Sequence, residues 1–181
     1  AEFSLHDGAP FRLKDLTASR RELEFHFSIG NDFQWDKFAA LLQTGDDDVN
    51  ARINHIVLNK GSIFNGVIDF IFIHEGKIYI LDWKSDLLKK DLASYRPEAL
   101  ADVMCGSGYD VQYHIYLAAL MRYMEQRLGT GYSPELHDRY FGGVYYVFTR
   151  GVEPSRRNNG IYFCRPDYAR MESIREIFGK A

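Results

Sequence analysis

Residues 67–85 read VIDFIFIHEGKIYILDWKS, and the fold turns on this stretch. Two strongly apolar runs are joined by Glu75-Gly76. Each run is interrupted by one aspartate, Asp69 and Asp82, and Lys84 follows two places later. β-branched and aromatic residues on both sides of a Glu-Gly pair predict a β-hairpin. A carboxylate in so apolar a strand costs on the order of several kcal/mol to desolvate unless something pairs with it. Taking Glu75-Gly76 as a two-residue turn pairs His74 with Lys77. Counting back along both strands then puts Asp69 directly opposite Asp82, with Lys84 on the same face as Asp82.

Opposed side chains have Cβ atoms about 4.5–5.5 Å apart, so two carboxylates in this register repel. A divalent cation between them removes the repulsion, and hard oxygen ligands suit Mg²⁺, Mn²⁺ or Ca²⁺. Lys84 would then counter remaining charge, orient a water or stabilise a developing oxyanion. The register itself is an assumption, because Glu-Gly is a poorer turn than Asn-Gly and a one-residue slip breaks the pairing. Two plainer readings stay open: Asp82 and Lys84 as a surface ion pair on an edge strand, and Asp69 as a hydrogen-bond partner of a loop.

The bulk properties suit such a core. The chain has 181 residues, 46% hydrophobic and 15% aromatic, which is most simply one domain, residues 1–181. No apolar run approaches the length of a membrane span. The N-terminus, AEFSLHDGAPFRLKDL, has no start methionine and no signal-peptide layout, which suggests a piece of a longer chain. Cys105 and Cys164 show no C-x-x-C spacing and read as free thiols of a reducing cytoplasm. With 22 Lys+Arg against 25 Asp+Glu the net charge is −3, so any nucleic-acid contact must be local.

Outward from the hairpin, RELEFHFSI (21–29) alternates as a half-buried strand, and DFQWDKFAALLQ is a short helix capped by Asn31 or Asp32. GDDDVN (45–50) reads as a solvated loop, and INHIVL (53–58) as a weaker strand. Pro97 opens a helix that runs to about Cys105. Asp110 is expected to cap a second helix closed by Gly129. FGGVYYVFTRG (141–151) is a buried strand, IYFCR a short one, and Asp167 caps a final helix. Strands, then helices, then another strand indicate an α/β or α+β sheet domain.

Gln112 and Tyr116 are four apart and share one face of the second helix. They suit contact with a phosphate or base, or plain packing. Tyr113, Leu117, Leu120 and Tyr123 repeat at helical spacing as core or a partner face. Lys89, Lys90, Arg150, Arg156 and Arg157 are phosphate contacts or solvated surface. The six histidines form no zinc motif, and no G-x-S-x-G elbow or Walker loop is present.

The ordered set G-V-I-D (66–69), L-D-W-K-S (81–85) and Gln112-x-x-x-Tyr116 resembles the PD-(D/E)XK nuclease superfamily. Within it, the chain resembles the C-terminal nuclease domain of RecB, the beta subunit of exodeoxyribonuclease V. REL-E-F (21–25), Y-D-x-Q-Y (109–113), F-G-G-V-x-Y (141–146) and R-G-V (150–152) fit as well, so the likeness covers roughly residues 20–178. It implies a restriction-endonuclease-like core, a mixed β-sheet flanked by helices, with a site that uses Mg²⁺. Carried over, Asp69 and Asp82 bind the metal together with the backbone carbonyl of Trp83. Lys84 positions the attacking water, and Gln112 and Tyr116 organise the site and the DNA backbone.

The implied reaction is hydrolysis of DNA phosphodiesters in double-strand break repair and recombination. A helicase motor in a longer bacterial cytoplasmic chain would deliver a single strand, alongside RecC-like and RecD-like subunits. Two departures accompany the resemblance. RecB-type sites also use a histidine upstream of the first strand, and none of the six, His6 included, has a matching context. The iron–sulfur branch needs four cysteines and is excluded by two. The alternatives are a nuclease fold kept as a non-catalytic interaction or DNA-guiding module, and a free-standing endonuclease.

Overall fold

A computed structural model describes residues 2–4, 10–28, 33–42, 63–88, 91–153, 155–156 and 158–179. The hairpin is present: β4 (Ile63–His74) and β5 (Lys77–Lys84) pair antiparallel from His74↔Lys77 back to Phe70↔Leu81. Glu75 and Gly76 have φ of 49° and 75°, both positive as a type I′ turn requires. The assumed register therefore holds from His74↔Lys77 to Phe70↔Leu81. A strand β3 (Ala18–Ser28) precedes the pair. β6 (Phe141–Phe148) and β7 (Ile161–Cys164) follow it, giving a five-stranded sheet in the order β3-β4-β5-β6-β7. β6 runs parallel to β5 and antiparallel to β7, so the sheet is mixed. A separate antiparallel pair joins β1 (Glu2–Ser4) to β2 (Pro10–Arg12), which the sequence pattern did not announce.

Among the described residues there are five α-helices: α1 (Trp35–Leu41), α2 (Pro97–Gly106), α3 (Tyr109–Leu128), α4 (Pro134–Tyr140) and α5 (Tyr168–Phe178). The expected mixed α/β class is what forms. By internal contacts the chain falls into two compact units. One comprises residues 1–23, 68–104 and 138–165, the other 24–67, 105–137 and 166–181.

The first unit is organised by β5 and β6. Phe70, Phe72, Tyr79, Leu81, Tyr145 and Val147 alternate onto one face and pack with Phe11 and Ile161. Ile80, Asp82, Val144, Tyr146 and Phe148 belong to the other face and are buried too. A strand covered on both sides needs continuous apolar sequence, which YYVF supplies. The register between β5 and β6 skips one residue at Gly142, where the Tyr79 ring lies over bare backbone; a Cβ there would fall inside that ring.

In the second unit, α1 and α5 meet through Phe38 and Phe178, whose rings cross edge-on at 5.1 Å. Asp167 caps α5 as expected, its Oδ1 accepting from the Arg170 amide at 2.8 Å. Gly129 ends α3 at φ 66°. The expected cap of α3 is corrected, however. Gly108 at φ 72° precedes the helix, and Asp110 sits inside its first turn, 5% exposed. Glycine reaches the left-handed region without strain, so the turn forms two residues early. Asn31, Asp32, GDDDVN, INHIVL, Lys89 and Lys90 lie outside the described residues.

His114 ties α3 to α5. Its Nδ1–H donates to the Asp110 carbonyl at 2.6 Å, and its Nε2 accepts from the Arg170 guanidinium at 3.1 Å. Burial pushes the imidazole down to about 3 from 6.5, against the raising effect of the Asp110 carbonyl, and the Arg170 charge lowers it further. The folded value lies below the unfolded one. Between pH 6.5 and about 3 the unfolded chain therefore takes up a proton that the folded chain refuses, and stability falls as pH falls. From pH 7 to 5 this single group should remove about 2 kcal/mol of unfolding free energy. Urea titrations of wild type and His114→Gln at both pH values measure the difference; equal pH dependence in the two chains would contradict it.

Candidate functional site

The carboxylates lie where the hairpin ladder ends. In this register the residues exchanging backbone bonds are His74 with Lys77, Phe72 with Tyr79 and Phe70 with Leu81. The next β5 amide pointing at β4 is that of Trp83. It donates at 3.0 Å to Asp69 Oδ2. The side chain of Asp69 thus takes up a ladder position, which answers the plainer reading that it serves a loop. Because a strand residue sends its N–H and C=O toward the same edge, the Trp83 carbonyl also points to the β4 side.

Asp69 shares the parity of Ile71, and Asp82 that of Ile80; Ile71 and Ile80 are partners. The two aspartates therefore project to one face. Asp82 is 2% exposed, and its Oδ2 lies 2.7 Å from Lys84 Nζ. β5 sits between β4 and β6, so this pair is buried in a central strand, not a surface pair on an edge. Lys84 Nζ also stands 5.2 Å from the Tyr146 ring centroid, a cation–π contact within a desolvated setting. The backbone beyond is fixed from a 3₁₀ turn at Thr149–Gly151. Thr149 Oγ1 donates to the Lys84 carbonyl at 3.1 Å, and Arg150 Nε to the Ser85 carbonyl at 2.7 Å.

The sequence pattern missed Tyr146 and Thr149. Their signal is the parallel pairing Asp82↔Tyr146 and Lys84↔Phe148, which no local pattern encodes. Arg150 proves to be a structural donor. Arg156 is exposed in a turn, and Arg157 lies outside the described residues.

In the second unit Gln112 and Tyr116 meet as their spacing predicts. Gln112 Nε2 donates to the Tyr116 hydroxyl at 2.8 Å, and that hydroxyl donates to the Val67 carbonyl at 2.9 Å. Tyr116 is also packed, its ring edge-on to Phe25 at 5.8 Å. Packing and hydrogen bonding are thus both realised in one side chain. Tyr113, Leu117 and Leu120 are buried, whereas Tyr123 is exposed under Arg127.

The donor set suits a small divalent cation: two carboxylates and a backbone carbonyl, all hard oxygens. Among the described residues no group of three His, Cys, Asp or Glu side chains is placed to hold a metal. A cation here would draw its remaining ligands from backbone and water. Also among the described residues, no helix is long and apolar enough to cross a membrane.

No family model matches the chain. Single proteins do. The RecBCD enzyme subunit RecB of Escherichia coli K12 is 40% identical over 168 residues, 92% of this chain and 14% of the relative. RecB of Haemophilus influenzae Rd is 34% identical over 159 residues, and RecB of Borreliella burgdorferi 32% over 163. This chain is homologous to part of RecB. It spans 12–14% of the length of these RecB relatives, so the match identifies a segment and not the whole subunit.

Removing one partner of a buried ion pair strands the other. Lys84→Met should cost about 3–5 kcal/mol of stability in chelator-treated protein, and Asp82→Asn added to it should recover much of that loss. Chemical denaturation of the two single variants and the double variant measures the coupling; simple additivity would show that the pair does not act as a unit.

Proposed function

We propose that this chain is a metal-dependent deoxyribonuclease of a RecB-like helicase–nuclease, hydrolysing DNA phosphodiesters during double-strand break repair and recombination. The observation that carries the reading is the arrangement at the end of the hairpin. Asp69 and Asp82 project from one face, and Lys84 is held against Asp82. Carboxylates placed together at such expense, in strands that could have been wholly apolar, suit a site that handles charge. Homology to RecB supports the same reading and carries the expected partners with it: DNA, delivered as a single strand, and RecC-like and RecD-like subunits. The bacterial cytoplasm is the matching compartment.

In this reading Asp69, Asp82 and the Trp83 carbonyl would hold Mg²⁺, with Mn²⁺ or Ca²⁺ as substitutes in the site. The bound cation supplies Lewis acidity and charge neutralisation at the phosphate. Lys84 contributes an ammonium fixed by its contact with Asp82, able to orient a water and to stabilise charge building on the phosphate oxygens. The buried setting strengthens that effect, because few waters compete with it. Water oxygen bonds to phosphorus and gives up a proton to solvent, the bridging P–O bond breaks, and the leaving alkoxide takes up a proton from solvent. Gln112 and Tyr116 act through the backbone of β4. The Tyr116 hydroxyl fixes the Val67 carbonyl, two residues before Asp69 in β4, and so constrains the backbone that carries the carboxylate.

The test uses the full-length polypeptide with its partner subunits, linear DNA and Mg²⁺. Wild type should degrade the DNA, and Asp82→Ala should lower cleavage by at least about 100-fold while ATP-driven unwinding continues. Wild type that unwinds but never cuts, or Asp82→Ala that cuts at the wild-type rate, would overturn the reading.

A further inference from the structure

A cleft of about 650 Å³ opens in the first unit, lined among others by Lys14, Arg21, Glu22, Asp69, Phe70 and Trp83. Its size falls within the range of small-ligand sites, about 300–1,000 Å³. Trp83 lies in the L-D-W-K segment yet keeps 41% of its surface exposed. It alternates away from the Asp82–Lys84 face and toward that of Leu81 and Phe70. An indole left open at the end of a strand, beside a wholly buried core, forgoes about 1 kcal/mol or more of burial unless something covers it. Glu22, on the same wall, has φ of 51° within the extended β3. A non-glycine residue in that region costs about 1–2 kcal/mol.

We propose that this cleft is a nucleotide subsite in which an unpaired base stacks on Trp83 while Lys14 and Arg21 hold the adjoining phosphates, leading the strand past Asp69. The choice of nucleic acid as occupant rests on the nuclease reading; the choice of residues rests on the cleft. Two cations there are balanced by Glu22 and Asp69, so charge alone gives little attraction. Affinity must then come from the aromatic surface. Stacking requires an unpaired base, so the occupant is a single strand and not a duplex. Asp69 lines this wall and accepts the Trp83 amide, so the stacked base lies beside one of the two carboxylates, with Asp82 and Lys84 on the other face of the strand.

Binding is measured without divalent cation, in EDTA, by the anisotropy of a labelled oligothymidylate and of an abasic oligonucleotide of equal length. The oligothymidylate should bind more tightly than the abasic strand. Trp83→Ala should weaken oligothymidylate binding by about 5-fold to 150-fold and abolish the difference between the two strands, whereas Trp83→Phe keeps most of it. The Lys14→Ala, Arg21→Ala double variant should flatten the logarithmic salt dependence by about 1.4. Equal affinity for the two strands, or unchanged binding by Trp83→Ala, would overturn the proposal. Stacking by a protein that never cuts DNA with Mg²⁺ supports the subsite and sinks the nuclease reading. Cleavage with no preference for bases over abasic sugar does the reverse.

Discussion

The two-residue turn at Glu75-Gly76 sets the position of every side chain on β4 and β5. Side chains alternate with a period of two, so a slip of one residue would exchange the core face for the other along both strands. In the observed register Phe70, Phe72, Tyr79 and Leu81 fill one core layer, and Asp69, Asp82 and Lys84 come to the opposite face. The turn is not chemically ideal, since Glu75 occupies a left-handed conformation at φ 49°. The apolar pattern of the strands therefore enforces the register, and the turn accommodates it. The carboxylates are placed by hydrophobic burial acting on their neighbours.

Given that placement, the electrostatics follow. Asp82 is too buried to be solvated, and Lys84 meets it at 2.7 Å on the same strand face. Asp69 lies where the ladder ends and takes the Trp83 amide. Neither carboxylate is satisfied in the same way: one is held by an ion pair, the other by a backbone donor. The difference leaves the pair asymmetric, with one deep acid and one that reaches the cleft wall.

Much of this was legible in the sequence because the hairpin is local. Val67 to Ser85 contains its own turn, its own periodicity and its own acids, so counting alone put Asp69 and Asp82 on one face. Gln112 and Tyr116 were legible for the same reason, being one helical turn apart. What required the structure was non-local. Tyr146 lies beside Asp82 only because β6 pairs parallel to β5 with a skip at Gly142. Asp110 looked like a cap because its residue type favours that position, but Gly108 starts the helix earlier and buries the carboxylate. The cleft around Trp83 joins Lys14, from a segment with no periodic signal of its own, to Arg21 of the alternating strand β3, a pairing that no local pattern encodes.

The proposed nuclease chemistry requires that Asp69 and Asp82 share a divalent cation. Diffraction from crystals of the chain soaked in Mn²⁺, recorded for anomalous scattering, tests it most directly. A peak within about 2.0–2.6 Å of oxygens from both carboxylates is the expected result. Anomalous density absent from the pair at saturating Mn²⁺, with Lys84 still seated on Asp82, would contradict the account.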